Sequence, residues 1–188
     1  MEQSGVDVYV IPTDDFHGSE YVGDYFRCRA YVSGFTGSAG TLVVAKEWAG
    51  LWTDGRYFLQ GAQQLSGSGI DLCKMGEPGV PTVLGWLKEN LKAGMTLGFD
   101  GRSMTAGTGL AMAEIADNAG AKLRFDLDLV GEIWTDRPHM SQAPAWELGI
   151  EYAGESRKDK LAALTKNVAE LGADTFVLTS LDDLCWLL

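Results

Sequence analysis

The chain has 188 residues, of which 46% are hydrophobic and 10% aromatic, so it can bury a sizeable core and is not disordered. Its formal net charge of −11 argues against a nucleic-acid partner and against an anionic membrane surface. We expect neither a membrane-spanning helix nor a signal peptide, because no apolar run approaches the ~20 residues of a span. The three cysteines are widely separated, which predicts free thiols in a reducing cytoplasm.

Short apolar segments alternate with helical patterns through most of the chain. The predicted strands are residues 8–11, 41–45, 50–52, 70–73, 96–99 and 123–125. Between them, apolar residues spaced three or four apart predict three helices. Their shared faces are Phe58, Ala62 and Leu65 after Asp54; Leu84, Leu87 and Leu91 after Thr82; and Met112, Ile115, Ala116 and Ala119 before Gly120. Such alternation predicts an α/β fold, a sheet with covering helices.

Residues 138–156 interrupt this alternation, since prolines and glycines there lie among polar residues. We therefore predict a domain at 1–137, a linker at 138–156 and the beginning of a second domain at 157–188. The second domain should start with a helix that ends at Gly172, followed by a strand at 175–178. Residues 172–178 (GADTFVL) are similar to residues 5–11 (GVDVYVI), which suggests two related folds. We expect the first helix of the first domain, and most of the second domain, to be truncated.

Two blocks near the start carry the most specific pattern, SGFTGSAGT at residues 33–41 and LWTDGRYFLQ at residues 51–60. The glycines favour a tight turn into the strand between the blocks, and Asp54 is placed to cap a helix. Together the blocks resemble the N-terminal region of the Xaa-Pro aminopeptidases (aminopeptidase P) of the creatinase/prolidase family. Residues 11–21, 79–82, 133–138 and 182–188 are similar to that family as well. Cys28 is a departure, because relatives usually carry adjacent arginines at this point.

The resemblance implies a mixed sheet flanked by helices, like the creatinase N-terminal domain, followed by the start of a related α/β domain. It implies a parent enzyme that removes an N-terminal residue preceding proline. Two divalent ions, usually manganese, would be held in a C-terminal catalytic domain that this chain lacks. We expect this region to bind no cofactor itself, to shape access to the active site and to support a homo-oligomer. Its expected partners are its own catalytic domain and peptides with proline in second position.

Two alternatives remain open: a stand-alone binding or assembly module of the same fold, and part of a prolidase or creatinase-type amidohydrolase. The chain itself offers no catalytic or metal-binding pattern. His17 and His139 are its only histidines, and neither belongs to a zinc-binding pair. The glycines of the first block match neither phosphate-binding spacing, and the Gly-x-Ser-x-Gly elbow of serine hydrolases is missing.

Four residues are candidates for an ancillary or interdomain role: His17, Glu20, Asp54 and Arg56. Glu20 is interpreted either as an acidic residue at a helix start or, by resemblance, as part of a motif with His17 that faces a partner domain. Asp54 is expected to be an N-cap. Arg56 is poorly placed for the helix dipole, so we predict an ion pair that braces this domain or its contact with the catalytic domain.

Two pairs of adjacent carboxylates also stand out in the sequence. The first pair is Asp14 and Asp15. The ion-pair partner that we expect for Arg56 is Glu20 or one of these two aspartates. Both that pair and Asp182-Asp183 could be metal ligands, but adjacent carboxylates at strand-to-helix junctions more often form caps or Asx-turns.

Overall fold

Six short strands form one sheet in the first of two structural units. The computed structural model describes residues 1–188 and divides them into Met1–Met140 and Ser141–Leu188. The strands of the first unit are β1 (Val8–Pro12), β2 (Thr41–Ala45), β3 (Ala49–Thr53), β4 (Asp71–Lys74), β5 (Thr96–Phe99) and β6 (Lys122–Arg124). No helix in the chain is both long and apolar enough to cross a membrane.

The sheet is mixed, with strand order β4-β3-β2-β1-β5-β6. Only β2 runs against the others: it pairs antiparallel with β1 and β3, whereas β3–β4, β1–β5 and β5–β6 are parallel pairs. Five strands therefore end at the same edge of the sheet, where β2 begins. We call this the loop edge, because the loops that follow these five strands leave the sheet there. In open α/β sheets, binding sites form at such edges.

Five helices cover the two faces of the sheet: α1 (Cys28–Ser33), α2 (Phe58–Gln64), α3 (Val83–Asn90), α4 (Ala106–Ala119) and α5 (Leu129–Ile133). Strand residues alternate between the faces, so Val8 and Val10 pack on one side and Tyr9 and Ile11 on the other. The first cluster contains residues of α3 and α4, and the second contains residues of α5 and the segment after α1. The predicted mixed sheet flanked by helices is confirmed.

The helix after Asp54 differs from its predicted face. Ala62 is exposed, and Gly61 is buried in its place because the side chain of Leu72 on β4 occupies the space beside it. Leu65 is buried as predicted. The helix before Gly120 follows its prediction, and Gly120 ends it with a φ of 67°.

The second unit contains three helices, α6 (Ile150–Ala153), α7 (Arg157–Glu170) and α8 (Leu181–Leu187). The α6 helix lies inside the segment predicted as a linker. The predicted strand at 175–178 is wrong: these residues form no strand, because no neighbouring strand in Ser141–Leu188 supplies pairing hydrogen bonds. Asp182 and Asp183 lie in the first turn of α8, and Ser180 is the residue that caps it.

Candidate functional site at the loop edge

Asp54 follows β3 directly and forms a bidentate ion pair with Arg56, two residues further along the chain. Its Oδ1 accepts hydrogen bonds from the Arg56 backbone N–H at 3.0 Å and from Nε at 2.9 Å, and its Oδ2 accepts one from Nη2 at 2.9 Å. Asp54 thereby caps the helical turn Gly55–Tyr57 that precedes α2, as predicted. The Arg56 guanidinium lowers the pKa of Asp54, and the carboxylate raises the pKa of Arg56.

Arg56 also reaches Glu20, so the predicted ion pair with a carboxylate is present. Its Nη1 lies 3.4 Å from Oε1 of Glu20. The same oxygen accepts a hydrogen bond from Ser38 Oγ at 3.0 Å, and the Tyr57 hydroxyl lies 2.7 Å from Ser38 Oγ. The second carboxylate oxygen of Glu20, Oε2, accepts no hydrogen bond from this chain. Glu20 is thus fixed at one oxygen and available at the other.

The interpretation of Glu20 as a helix-start residue is wrong. It lies at a bend between β1 and α1, and the next helical turn begins at Asp24. The carboxylate therefore has no helix dipole to stabilise it, and its partners are the side chains of Arg56 and Ser38. The polar residues after β1 form a turn that has no helix of its own, which sequence periodicity could not distinguish from a first helical turn.

His17 takes no part in the hydrogen bonds and ion pairs that join the other three candidates. Its backbone N–H and that of Ser19 donate to Oδ1 of Asp15, at 2.8 and 3.0 Å, which makes Asp15 the centre of an Asx-type turn. Burial raises the pKa of Asp15, but these two N–H groups, together with the side chains of Ser19 and His17, lower it, so the pKa lies below its usual value. The His17 side chain is exposed, and its Nδ1 lies 4.0 Å from Oδ1 of Asp15.

Two grooves meet at Glu20 and Ser38. An open groove of about 330 Å³ extends from these two residues along the loop edge, past Asp14, Thr41 and Asp54. A cleft of about 240 Å³ lies on the other side, between α1 and the loop at residues 36–38. No three or more His, Cys, Asp and Glu side chains of the chain are grouped so as to hold a metal ion.

Arg29 is a buried residue of the site that sequence reasoning missed. Only 4% of its surface is exposed, and no carboxylate lies within 4.0 Å of its guanidinium. It donates to Thr13 Oγ1 at 2.7 Å, to the carbonyl of Phe35 at 2.9 Å and to that of Gly37. Burial lowers its pKa to about 10. The signal available in the sequence was a charged residue four positions before the first glycine block, which begins at Ser33.

A second Asp-Gly-Arg sequence repeats the Asp54–Arg56 contact at the end of β5. Oδ1 of Asp100 accepts from the Arg102 backbone N–H and Nε, both at 3.0 Å, and Oδ2 accepts from Nη2 at 2.8 Å. Arg102 then reaches Asp128, the cap of α5, at 3.0 Å. Arg137 binds the same Asp128 oxygen at 2.6 Å. The sequence signal for this repeat was the tripeptide Asp-Gly-Arg after two buried strands.

Known proteins resemble this chain along nearly its whole length. Two sequence profiles, each described as the creatinase/prolidase N-terminal domain, match residues 1–125 and 136–188. Aminopeptidase P2 of Arabidopsis thaliana is 40% identical over 98% of this chain, and a probable Xaa-Pro aminopeptidase P of Talaromyces marneffei is 39% identical over 100% of it. The chain spans only 26% and 29% of their lengths.

A solved structure also resembles this chain along most of its length. It is an X-prolyl aminopeptidase from Caenorhabditis elegans, described as a cytosolic enzyme with a di-nuclear active site. Its TM-score is 0.81 at 37% identity, and the match covers 97% of this chain and 30% of that one.

Proposed function

The chain belongs to the creatinase/prolidase family, and we propose that it is the non-catalytic N-terminal region of an Xaa-Pro aminopeptidase. The observation that carries this proposal is the extent of the similarity: relatives named for that activity match the chain from end to end at 37–40% identity. The proposed parent enzyme removes a residue that precedes proline, using two divalent ions, manganese by resemblance, in a C-terminal catalytic domain. A cytoplasmic location is proposed from the cytosolic relative.

We propose that the loop edge limits access to the active site of the parent enzyme. Selectivity for a free peptide N-terminus requires that longer approaches be blocked, which a separate domain at the active-site mouth can do. Glu20 supports this role, because Oε1 is fixed by Arg56 and Ser38 while Oε2 remains available to a partner at the open groove. The proposed partner is the catalytic domain, and the proposed reactants are peptides with proline in second position.

The domain boundaries are also a proposal: a creatinase-type domain at 1–137, a linker at 138–156 and the start of a related domain at 157–188. The two profile matches support two related domains. The proposed linker contains one short helix, α6. Assembly into a homo-oligomer is proposed from the resemblance alone. Light scattering on the parent enzyme tests it, and a monomeric mass across the working concentration range would contradict it.

An activity assay tests the main proposal. We expect the 188-residue chain with Mn²⁺ and an Xaa-Pro tripeptide to release no amino acid, and the longer parent protein to release it in a chelator-sensitive manner. Turnover by the 188-residue chain alone would overturn the non-catalytic assignment. A parent protein that cleaves only Xaa-Pro dipeptides would favour the prolidase alternative, and a parent with no metal-ligand set would favour the binding module.

A further inference from the structure

The loop at residues 34–40, here the glycine loop, is held from inside by Arg29. Its carbonyls at Phe35 and Gly37 accept hydrogen bonds from the two terminal nitrogens of the guanidinium. The Phe35 ring lies under the guanidinium, 4.8 Å from Cζ to the ring centre, and is itself fully buried. Thr13 closes the arrangement, because its Oγ1 accepts from Arg29 Nε and donates to the carbonyl of Gly40 at 2.9 Å.

Stability alone does not explain a charge at this position. A buried cation with only neutral acceptors is expensive, and replacing such groups by well-packed apolar residues is often neutral or stabilising. Arg29 has no carboxylate partner, so its burial lowers its pKa instead of being offset. What the guanidinium supplies is geometry: a rigid planar fork that fixes one hydroxyl and two carbonyls at set angles.

The position of the glycine loop determines the position of Glu20. Ser38 follows Gly37 directly, and its hydroxyl binds Glu20 and Tyr57. The loop has little room to shift: a Cβ added at Gly37 would lie 2.3 Å from the Phe35 ring and 2.8 Å from the Tyr57 ring. A change in the carbonyl of Gly37 therefore moves the hydroxyl that holds the carboxylate.

We infer that Arg29 is a positioning residue, which sets the glycine loop so that Ser38 holds Glu20 toward the open groove. This inference rests on the proposed function, in which Glu20 faces the access to the active site. It predicts that Arg29 acts on peptide binding through Ser38 and Glu20, although it lies behind the loop and is itself buried.

A double-mutant cycle in the parent enzyme tests this inference. We expect R29K and S38A each to raise KM for an Xaa-Pro peptide on the order of tenfold with kcat largely retained, because a displaced contact at the mouth weakens binding. The double variant should lose no more than either single variant. A merely structural role would instead reduce the folded fraction, which lowers apparent kcat and the melting temperature and leaves KM unchanged.

Two further variants keep the test decisive. T13V removes one acceptor of Arg29 and keeps the charge, so it should raise KM as R29K does. It therefore replaces R29K in the test if R29K fails to fold. R27Q is the matched control and should leave KM unchanged. Arg27 lies beside the cleft between α1 and the loop at residues 36–38, as Arg29 does, but its side chain is exposed and pairs only with Asp24. Additive effects of R29K and S38A, with E20Q impaired, would overturn this inference alone. An unchanged KM in E20Q would overturn the proposed role of Glu20 as well.

Discussion

Arg56 and Arg102 make the same contact with the aspartate two residues before them, yet their surroundings differ. Arg56 reaches Glu20, which is exposed and borders two grooves, at 3.4 Å. Arg102 reaches Asp128, which also binds Arg137 and caps a helix. The first contact thus ends at an open groove, and the second ends within the domain. The two residues form a matched pair for separating a role at the groove from a role in stability.

We predict that R56A raises KM for an Xaa-Pro peptide several-fold in the parent enzyme, with little change in melting temperature. Its ion pairs are exposed, and exposed pairs contribute little to stability. R102A should leave KM unchanged and lower the free energy of unfolding by roughly 1 kcal/mol. Steady-state kinetics and denaturant unfolding of both variants check this. The prediction fails if R56A behaves as wild type in both measurements, or if R102A matches it in KM.

Asp128 gives a pH-dependent contribution to stability. Burial raises its pKa, but the Gly131 N–H at 2.7 Å and the Arg137 guanidinium at 2.6 Å outweigh burial and hold the pKa below its usual value. A carboxyl with a depressed folded pKa stabilises the fold above its unfolded pKa of about 3.9. That contribution is lost as the pH falls through the lower folded value.

D128N should therefore be less stable than wild type at pH 7, and the difference should shrink as the pH falls below about 4. Urea unfolding from pH 7 to pH 3 measures it, and a constant difference across that range would contradict the assignment. R137A should cost roughly 2–4 kcal/mol at pH 7, because its side chain is only 11% exposed and its loss leaves Asp128 with a weaker partner. Lys46→Ala, at an exposed turn, serves as the neutral control.

At the level of elements, the sequence predicts the positions of strands and helices, because these depend on the local pattern of apolar and turn residues. The strands of the first unit were predictable to within a residue or two, because a short run with apolar residues between turn residues is typical of a strand. Strand order was not predictable, since pairing joins residues far apart in sequence. The burial of Arg29 and the turn at Glu20 depend on tertiary contacts for the same reason. Residues 175–178 show the converse: a strand pattern forms no strand without a neighbour.

The glycine loop can be tested through its own residues. G37A should destabilise the fold by roughly 1–3 kcal/mol and raise KM, because the new methyl group meets the Phe35 and Tyr57 rings. G34A is the comparison: nothing lies within 4 Å of its added Cβ, but its φ of 73° costs about 1 kcal/mol in an alanine. G34N should recover part of that loss, since Asn tolerates this conformation better. Equal KM values in G37A and wild type would contradict the role of the loop.

At the scale of the whole molecule, one pattern occurs in two settings. Residues 5–11 and 172–178 are similar, and the two profile matches share one description. In the first unit this segment supplies β1, which has neighbours on both sides, β2 and β5. In the second unit the same kind of segment has no strand neighbour, and Phe176 and Val177 are exposed. In the first unit this segment is therefore an interior strand of a sheet, and in the second it is not part of a sheet. The proposed relation between the two domains rests on their sequences.

Limited proteolysis tests the proposed boundary between the domains. Residues 138–148 are all exposed and contain no helix or strand, and Trp146 among them is 79% exposed. Chymotrypsin should therefore cut first after Trp146, because backbone without hydrogen-bonded structure fits a protease most readily. The larger product should retain the melting transition of the Met1–Met140 unit. W146A should delay the first cut or move it to Leu148, whereas a first cut after Tyr21, which is equally exposed in the loop after β1, would place the weakest point inside the first domain and contradict the boundary.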